Sequence, residues 1–109
     1  MTGLPHSMLR VERTDSVDLA VLALHGDIDL SSAHVLSDAI NEAIDAGWRR
    51  IVLDFSGIEF VNSAGLGVLV AATKRLRAEG GDLVARSFRG IPASALALTG
   101  LDQFLTIET

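Results

Sequence analysis

The 109-residue chain contains no cysteine and no tyrosine, two prolines and one tryptophan. The absence of cysteine excludes disulfide bonds and thiolate zinc sites, and it fits a cytoplasmic protein. Basic residues are also few, because nine Lys and Arg accompany fourteen Asp and Glu, for a formal net charge of −5 at pH 7. So acidic a chain lacks the basic surface that phosphate backbones require, and we expect no direct contact with nucleic acid.

Long apolar runs are missing as well. The longest, residues 19–24 and 66–72, fall well short of the ~20 residues that cross a bilayer, so we expect no membrane insertion. The start, MTGLPHSM, has no basic segment followed by an apolar one, and no secretion signal is predicted. With 49% hydrophobic residues, the chain has enough apolar material for one core. We therefore expect a single domain over residues 1–109, with 1–6 as a flexible N-terminus.

Five segments have the composition of β-strands. The first alternates between apolar and polar residues, which is typical of a half-exposed strand, and the turn composition after it predicts a hairpin. The second is apolar on both faces, as in a central strand. In the fourth, Arg86 indicates an edge strand. The predicted strands cover residues 8–14, 17–24, 51–55, 82–88 and 104–107.

Apolar residues at spacings of three and four predict helices between these strands. The first begins near Ser31 and ends before Gly47, the second begins near Ser63 and ends at Gly80, and a short third helix covers residues 91–99. The order ββαβαβαβ predicts an α/β domain with right-handed crossovers. We expect a mixed, mostly parallel sheet of four to five strands with three or four helices.

Ser63 lies in the stretch EFVNSAGLGVLV, residues 59–70, where the second helix is predicted to begin. Ser and Asn lead the preferences for the residue that caps a helix, so Ser63 is interpreted first as a cap, with Asn62 equally suited. A catalytic serine of the G-x-S-x-G type is disfavoured, because Val61 replaces the first glycine and seven residues separate the predicted strand from Ser63. No histidine follows Ser63 either, so we do not predict an enzyme.

The glycines at 65 and 67 lack the lysine of a P-loop and the third glycine of a dinucleotide-binding loop. We interpret them as small residues that let the helix start lie close to a neighbouring strand. No cofactor is predicted.

Asp27 and Asp29 follow the second strand. A divalent cation would need more oxygen ligands than the nearby serines supply, so turn and capping roles are favoured and no metal is predicted. In a parallel sheet, loops that leave the carboxyl ends of neighbouring strands meet at one edge. We therefore expect the 26–32 and 56–63 loops to share a surface that holds Asp27, Asp29 and Ser63.

Two segments resemble the STAS-domain family, and within it the bacterial anti-sigma factor antagonists. The motif G-D-I-D at residues 26–29 is similar to the family's G-[ED]-[IL]-D segment. Residues 53–70 resemble the pattern D-x-S-x-[IVL]-x-F-x-D-S-[ST]-G-L-G, except that Asn62 replaces the acidic residue and Ala64 the second hydroxyl residue. The segment TGLDQFL near the C-terminus also resembles the family. The matching residues of the longer pattern are Asp54, Ser56, Phe60, Ser63, Gly65, Leu66 and Gly67.

The resemblance implies a regulatory switch. In the family, the unmodified antagonist binds an anti-sigma factor that is also a serine kinase, and this binding releases the sigma factor for transcription. Phosphorylation of the loop serine, here Ser63, ends the binding, and a serine phosphatase restores it. The resemblance implies a cytoplasmic monomer. The implied partner-binding residues are Asp27, Asp29, Ser56, Asn62, Ser63, Ala64, Gly65 and Leu66.

Two other classes of function stay open. A standalone STAS subunit of a membrane transport or lipid-trafficking assembly would copurify with a transporter ATPase or permease, whether or not Ser63 is changed. A sensor module would bind a nucleotide or a small apolar molecule, and calorimetry would show this binding to be saturable.

Overall fold

The computed structural model describes residues 8–88, 100 and 105–108. The predicted third helix at 91–99 and the predicted flexible N-terminus at 1–6 lie outside these residues. The elements in chain order are strand β1 (Arg10–Asp15), strand β2 (Ala20–Ile28), helix α1 (Ala33–Asp45), strand β3 (Arg50–Val61), helix α2 (Ser63–Ala78), strand β4 (Asp82–Arg86) and strand β5 (Thr106–Glu108).

The strands form one sheet in the order β1-β2-β3-β4-β5. β1 pairs antiparallel with β2, as the predicted hairpin requires, and the remaining neighbours are parallel. The mixed, mostly parallel five-stranded sheet confirms the predicted α/β architecture. The placement of β4 at an edge was wrong, because β5 pairs along it. The side chain of Arg86 forms an ion pair with β5, since its Nε lies 2.9 Å from Oε1 of Glu108.

The hydrophobic core lies between the sheet and the two helices. Leu22, Leu53 and Ala85 are paired across β2, β3 and β4, so their side chains share one face, and all three are buried. The helices contact each other as well as the strands, which places both of them on this face. From α1, Leu36 and Ile40 are fully buried. The helix spacing of apolar residues therefore does mark the face of α1 that packs on the sheet.

Strand β3 has 12 residues and extends well beyond the predicted 51–55. Its register against β2 shifts between Ala23 and His25 and again between Gly26 and Asp27. Each shift adds one residue to β3, as a β-bulge does. The buried residues of the extension are consequently three apart. They are Ile58 and Val61, and Ile58 in turn follows the buried Phe55 by three residues.

Candidate functional site

Strands β2 and β3 end side by side, at the pair of Ile28 with Val61. The next residue, Asn62, donates its backbone N–H to the Ile28 carbonyl at 3.0 Å. Asn62 alone connects β3 to α2, so the predicted 56–63 loop is wrong and its residues belong mostly to a strand. Asp27 also lies on β2 rather than in a loop, paired with Phe60. We call residues 27–32 and 59–67 together the carboxyl-edge surface.

Asn62 is the N-cap of α2. Its side-chain Oδ1 accepts hydrogen bonds from the backbone N–H groups of Ala64, at 3.0 Å, and Gly65, at 3.4 Å. Its backbone is extended, with φ −104° and ψ −173°, as a cap residue requires. Ser63 is therefore the first residue of the helix, and its interpretation as the cap was wrong. Ser63 is exposed, whereas Asn62 and Ala64 are half-buried.

The short connection changes one argument about a catalytic serine. The separation of seven residues between strand and serine was wrong, because β3 continues to Val61 and Ser63 does occupy a strand–turn–helix corner. Val61 still replaces the glycine of that motif. His25 lies on β2, with its Nε2 3.3 Å from Oε1 of Glu12, and His34 is exposed on α1. Neither histidine forms a hydrogen bond with Ser63 in the described part of the chain.

The two glycines of the first turn of α2 have different surroundings. A Cβ atom added at Gly65 would lie 2.6 Å from Cγ2 of Ile28 and 2.8 Å from Cγ1 of Val61. Gly65 thus lets the helix start lie close to the ends of both strands, as predicted. A Cβ added at Gly67 would meet nothing within 4 Å in the part of the chain that the structure describes. The packing interpretation is therefore right for Gly65 and wrong for Gly67.

Asp29 organises the connection between β2 and α1. Its Oδ1 accepts hydrogen bonds from the backbone N–H groups of Ser31, at 2.9 Å, and Ser32, at 3.1 Å. Both serine hydroxyls also donate to this oxygen, at 2.7 and 3.2 Å. The Ser31 hydroxyl is the main reason that the pKa of Asp29 is lowered. The structure thus gives Asp29 a turn role and keeps a negative charge at the carboxyl-edge surface.

Ser56 lies inside β3, before the strand reaches the carboxyl-edge surface. Its backbone N–H donates to Oδ1 of Asp54 at 2.9 Å, and this bond is the main reason that the pKa of Asp54 is lowered. The predicted binding residues therefore fall into two places. Ser56 stands apart on the exposed part of the strand, whereas the others gather where β2 and β3 end.

Members of the carboxyl-edge surface differ in accessibility. Gly65 is buried, and Leu66 is half-buried and packs against the core. Two exposed apolar side chains went unnoticed as candidates: Leu30, 83% exposed, and Phe60, 50% exposed. Leu30 was detectable as an apolar residue inside an otherwise polar turn.

Among residues 8–88, 100 and 105–108, no cluster of three or more His, Asp or Glu side chains could hold a metal ion. None of the helices in this part of the chain is both long enough and apolar enough to cross a membrane.

Comparison with known proteins places the chain in a family. A family model described as "Mlab, STAS domain" matches residues 10–107. The chain belongs to the STAS family. Its STAS domain is 35% identical over 68 residues to the anti-sigma-F factor antagonist RsfB of Mycobacterium tuberculosis, an alignment that covers 62% of this chain and 56% of RsfB. The match therefore spans little more than half of that relative.

Solved STAS structures share the fold. The crystal structure of an anti-sigma factor antagonist from Mycobacterium paratuberculosis superposes with a TM-score of 0.80 at 27% identity, covering 92% of this chain and 85% of that one. The Bacillus cell fate determinant SpoIIAA in its phosphorylated form gives a TM-score of 0.70 at 20% identity, covering 93% and 91%. At 20% identity, the second likeness shows the fold of this STAS domain alone.

Proposed function

We propose that this STAS domain is an anti-sigma factor antagonist controlled by phosphorylation of Ser63. The unmodified form binds an anti-sigma factor with serine-kinase activity and so releases the sigma factor. Phosphorylation ends this binding, and a serine phosphatase restores it, in a monomer that acts in the cytoplasm. The observation that carries the proposal is the exposed Ser63 at the first position of α2, within the segment that resembles the antagonists. Relatives named as antagonists support it.

The fold can accept a phosphate on Ser63. A phosphate adds about −1.5 to −2 charge at pH 7, and the first turn of a helix favours an anion by roughly 0.3–1 kcal/mol at an exposed site. The cap residue Asn62 accepts hydrogen bonds from the amides of Ala64 and Gly65 and is neutral. It therefore does not repel the phosphate. We therefore expect the effect of phosphorylation to stay at the surface.

An interface over Ser63 would not accept the phosphate as readily. A kinase must bring the terminal phosphate of ATP up to the Ser63 hydroxyl, so an anion faces this position as a requirement of the reaction. Two unit charges of the same sign about 4 Å apart repel by roughly 4 kcal/mol at an effective dielectric constant of about 20. This corresponds to roughly a thousandfold loss of affinity, which is enough to separate the bound from the released state.

The first prediction tests the switch directly. The purified protein is incubated with ATP, Mg²⁺ and each kinase-type anti-sigma factor encoded in the same genome, and intact mass and calorimetric affinity are measured. We expect a gain of one phosphate, mapped to Ser63, and loss of binding once it is present. Ser63→Glu should abolish binding, and Ser63→Ala should bind without gaining mass. As a control, Ser16→Ala, exposed between β1 and β2, should still gain the phosphate.

Binding without any gain of mass would contradict control by phosphorylation and indicate an unregulated antagonist. The second candidate function is a subunit of a membrane transport or lipid-trafficking assembly. The matching family model supports keeping it, because the description "Mlab, STAS domain" does not single out the antagonists. No binding to any anti-sigma factor, together with copurification of a transporter ATPase or permease, would favour this second candidate.

A further inference from the structure

The surroundings of Gly67 give no structural reason for a glycine at this position. It lies inside α2 and is exposed, and a Cβ added there would meet no atom of the described residues within 4 Å. Glycine is the least favourable residue inside a helix apart from proline, because it loses the most backbone freedom on folding. The chain therefore keeps a destabilising residue where alanine would fit.

Every other glycine in the described part of the chain has a local reason. Some have a positive φ, which favours glycine over residues with a side chain. At the others, an added Cβ would clash with neighbouring atoms. The first group is Gly26, Gly47, Gly80 and Gly100, and the second is Gly57, Gly65 and Gly81. Neither reason applies to Gly67 among the described residues, and because Gly67 is exposed, we look for its cause in a partner that covers this position.

The position of Gly67 indicates what that cause is. Gly67 follows Ser63 by four residues on α2, so the two lie on the same side of the helix, and both are exposed. At position 67, one turn beyond Ser63 on this side of the helix, there is thus no side chain that could hold a large partner away. The exposed Leu30 and Phe60 lie on the same carboxyl-edge surface.

We propose that Gly67 is a clearance position, over which the main chain of the kinase-type anti-sigma factor passes when it binds Ser63. The inference rests on the proposed function and adds a specificity-determining residue to it. Phosphoryl transfer requires the reacting atoms to approach to about 3–3.5 Å, and a displacement of about 1 Å costs roughly a hundredfold in rate. A single side chain at position 67 imposes a displacement of this order.

The second prediction uses two substitutions, Gly67→Ala and Gly67→Gln. Both should raise the melting temperature, Gly67→Ala by about 4 °C, because each restores helix propensity in open space. Both should weaken binding to the kinase-type anti-sigma factor that binds the unsubstituted protein, Gly67→Gln by about tenfold or more. The rate of phosphate gain at Ser63 should fall in parallel. The matched control Ala78→Gln, exposed at the far end of α2, should change neither affinity nor rate.

Each result decides a different claim. If the unsubstituted protein binds and Ser63→Glu does not, but both Gly67 variants bind normally, the clearance role is overturned and the proposed function stands. If no anti-sigma factor binds the unsubstituted protein, the proposed function fails and the clearance role fails with it. A fall in melting temperature for Gly67→Ala would overturn the premise that the fold has no need of this glycine.

Discussion

At the level of single residues, Asn62 fills the capping role that Ser63 was predicted to have. By capping α2 through Ala64 and Gly65, Asn62 takes over the hydrogen bonds that a serine cap would accept. The Ser63 hydroxyl is then not required by the helix. A residue that the fold does not need can be modified without cost to the fold, which is what a reversible switch requires.

The third prediction separates the cap from the switch. Asn62→Ala should lower the free energy of unfolding by about 1 kcal/mol, because the amides of the first turn lose their acceptor. Asn62→Asp should keep the stability, since aspartate caps as well as asparagine and its charge suits the helix N-terminus. Ser63→Ala is the control and should change the free energy by less than about 0.5 kcal/mol. Urea denaturation measures all three, and an equal loss for Ser63→Ala would show that Ser63 is the cap after all.

The choice between Asn62 and Ser63 could not be made from residue type, because both residues cap helices well. It depends on where β3 ends, and that end was predicted several residues too early. The strand's extension puts Asn62 in extended backbone and Ser63 in the helix.

Between elements, the decisive contact is that of the first turn of α2 with the ends of β2 and β3. Gly65 is buried there against Ile28 and Val61, whereas Gly67 faces open space on the same helix. The same substitution should therefore have opposite effects at the two glycines.

The fourth prediction is that Gly65→Ala lowers the free energy of unfolding by roughly 1–3 kcal/mol, because the added methyl group overpacks a filled contact. Helix propensity alone would raise it by about 1 kcal/mol, so the sign of the change decides which effect prevails. Chemical denaturation of Gly65→Ala and Gly67→Ala side by side supplies the measurement. Stabilisation by both substitutions would contradict the close packing of α2 on the strands.

At this level the sequence predicted the order and type of the described elements, and the meeting of β2 with β3 at one edge. It missed the length of β3, because two bulges place the buried residues Phe55, Ile58 and Val61 three apart. A spacing of three is typical of neither a regular strand nor a loop. Phe60 was missed for a related reason, since its exposure depends on the course of the extended β3.

For the molecule as a whole, several acidic groups keep their negative charge to lower pH in the folded chain than in the unfolded chain. The pKa values of Asp29, Asp54 and Asp82 are all lowered. For Asp82, burial alone would raise the pKa, but hydrogen bonds from the Thr106 hydroxyl at 2.7 Å and from Arg77 at 3.1 Å outweigh it. Asp82 thereby joins α2 to β5 across the C-terminal half of the fold.

The fifth prediction follows from these lowered pKa values. A carboxyl group whose pKa is lower in the folded than in the unfolded chain stabilises the fold above its unfolded pKa, and this stability is lost as the pH falls through the folded pKa. We expect the melting temperature to hold from about pH 7 to pH 5 and to fall below about pH 4. Asp82→Asn should flatten this fall, and the exposed control Asp38→Asn should not. If the melting temperature of Asp82→Asn falls with decreasing pH as steeply as that of the unsubstituted protein, the role of Asp82 is contradicted.

The single-residue connection between β3 and α2 has a consequence for any enzyme that acts on Ser63. Ser63 lies at a strand-to-helix corner, which is held by the sheet on one side and by the helix on the other. We expect the proposed kinase and phosphatase to recognise this corner in three dimensions, and an unfolded copy of the same residues would not present it. On the proposed function, phosphorylation of Ser63 would then be confined to correctly folded molecules.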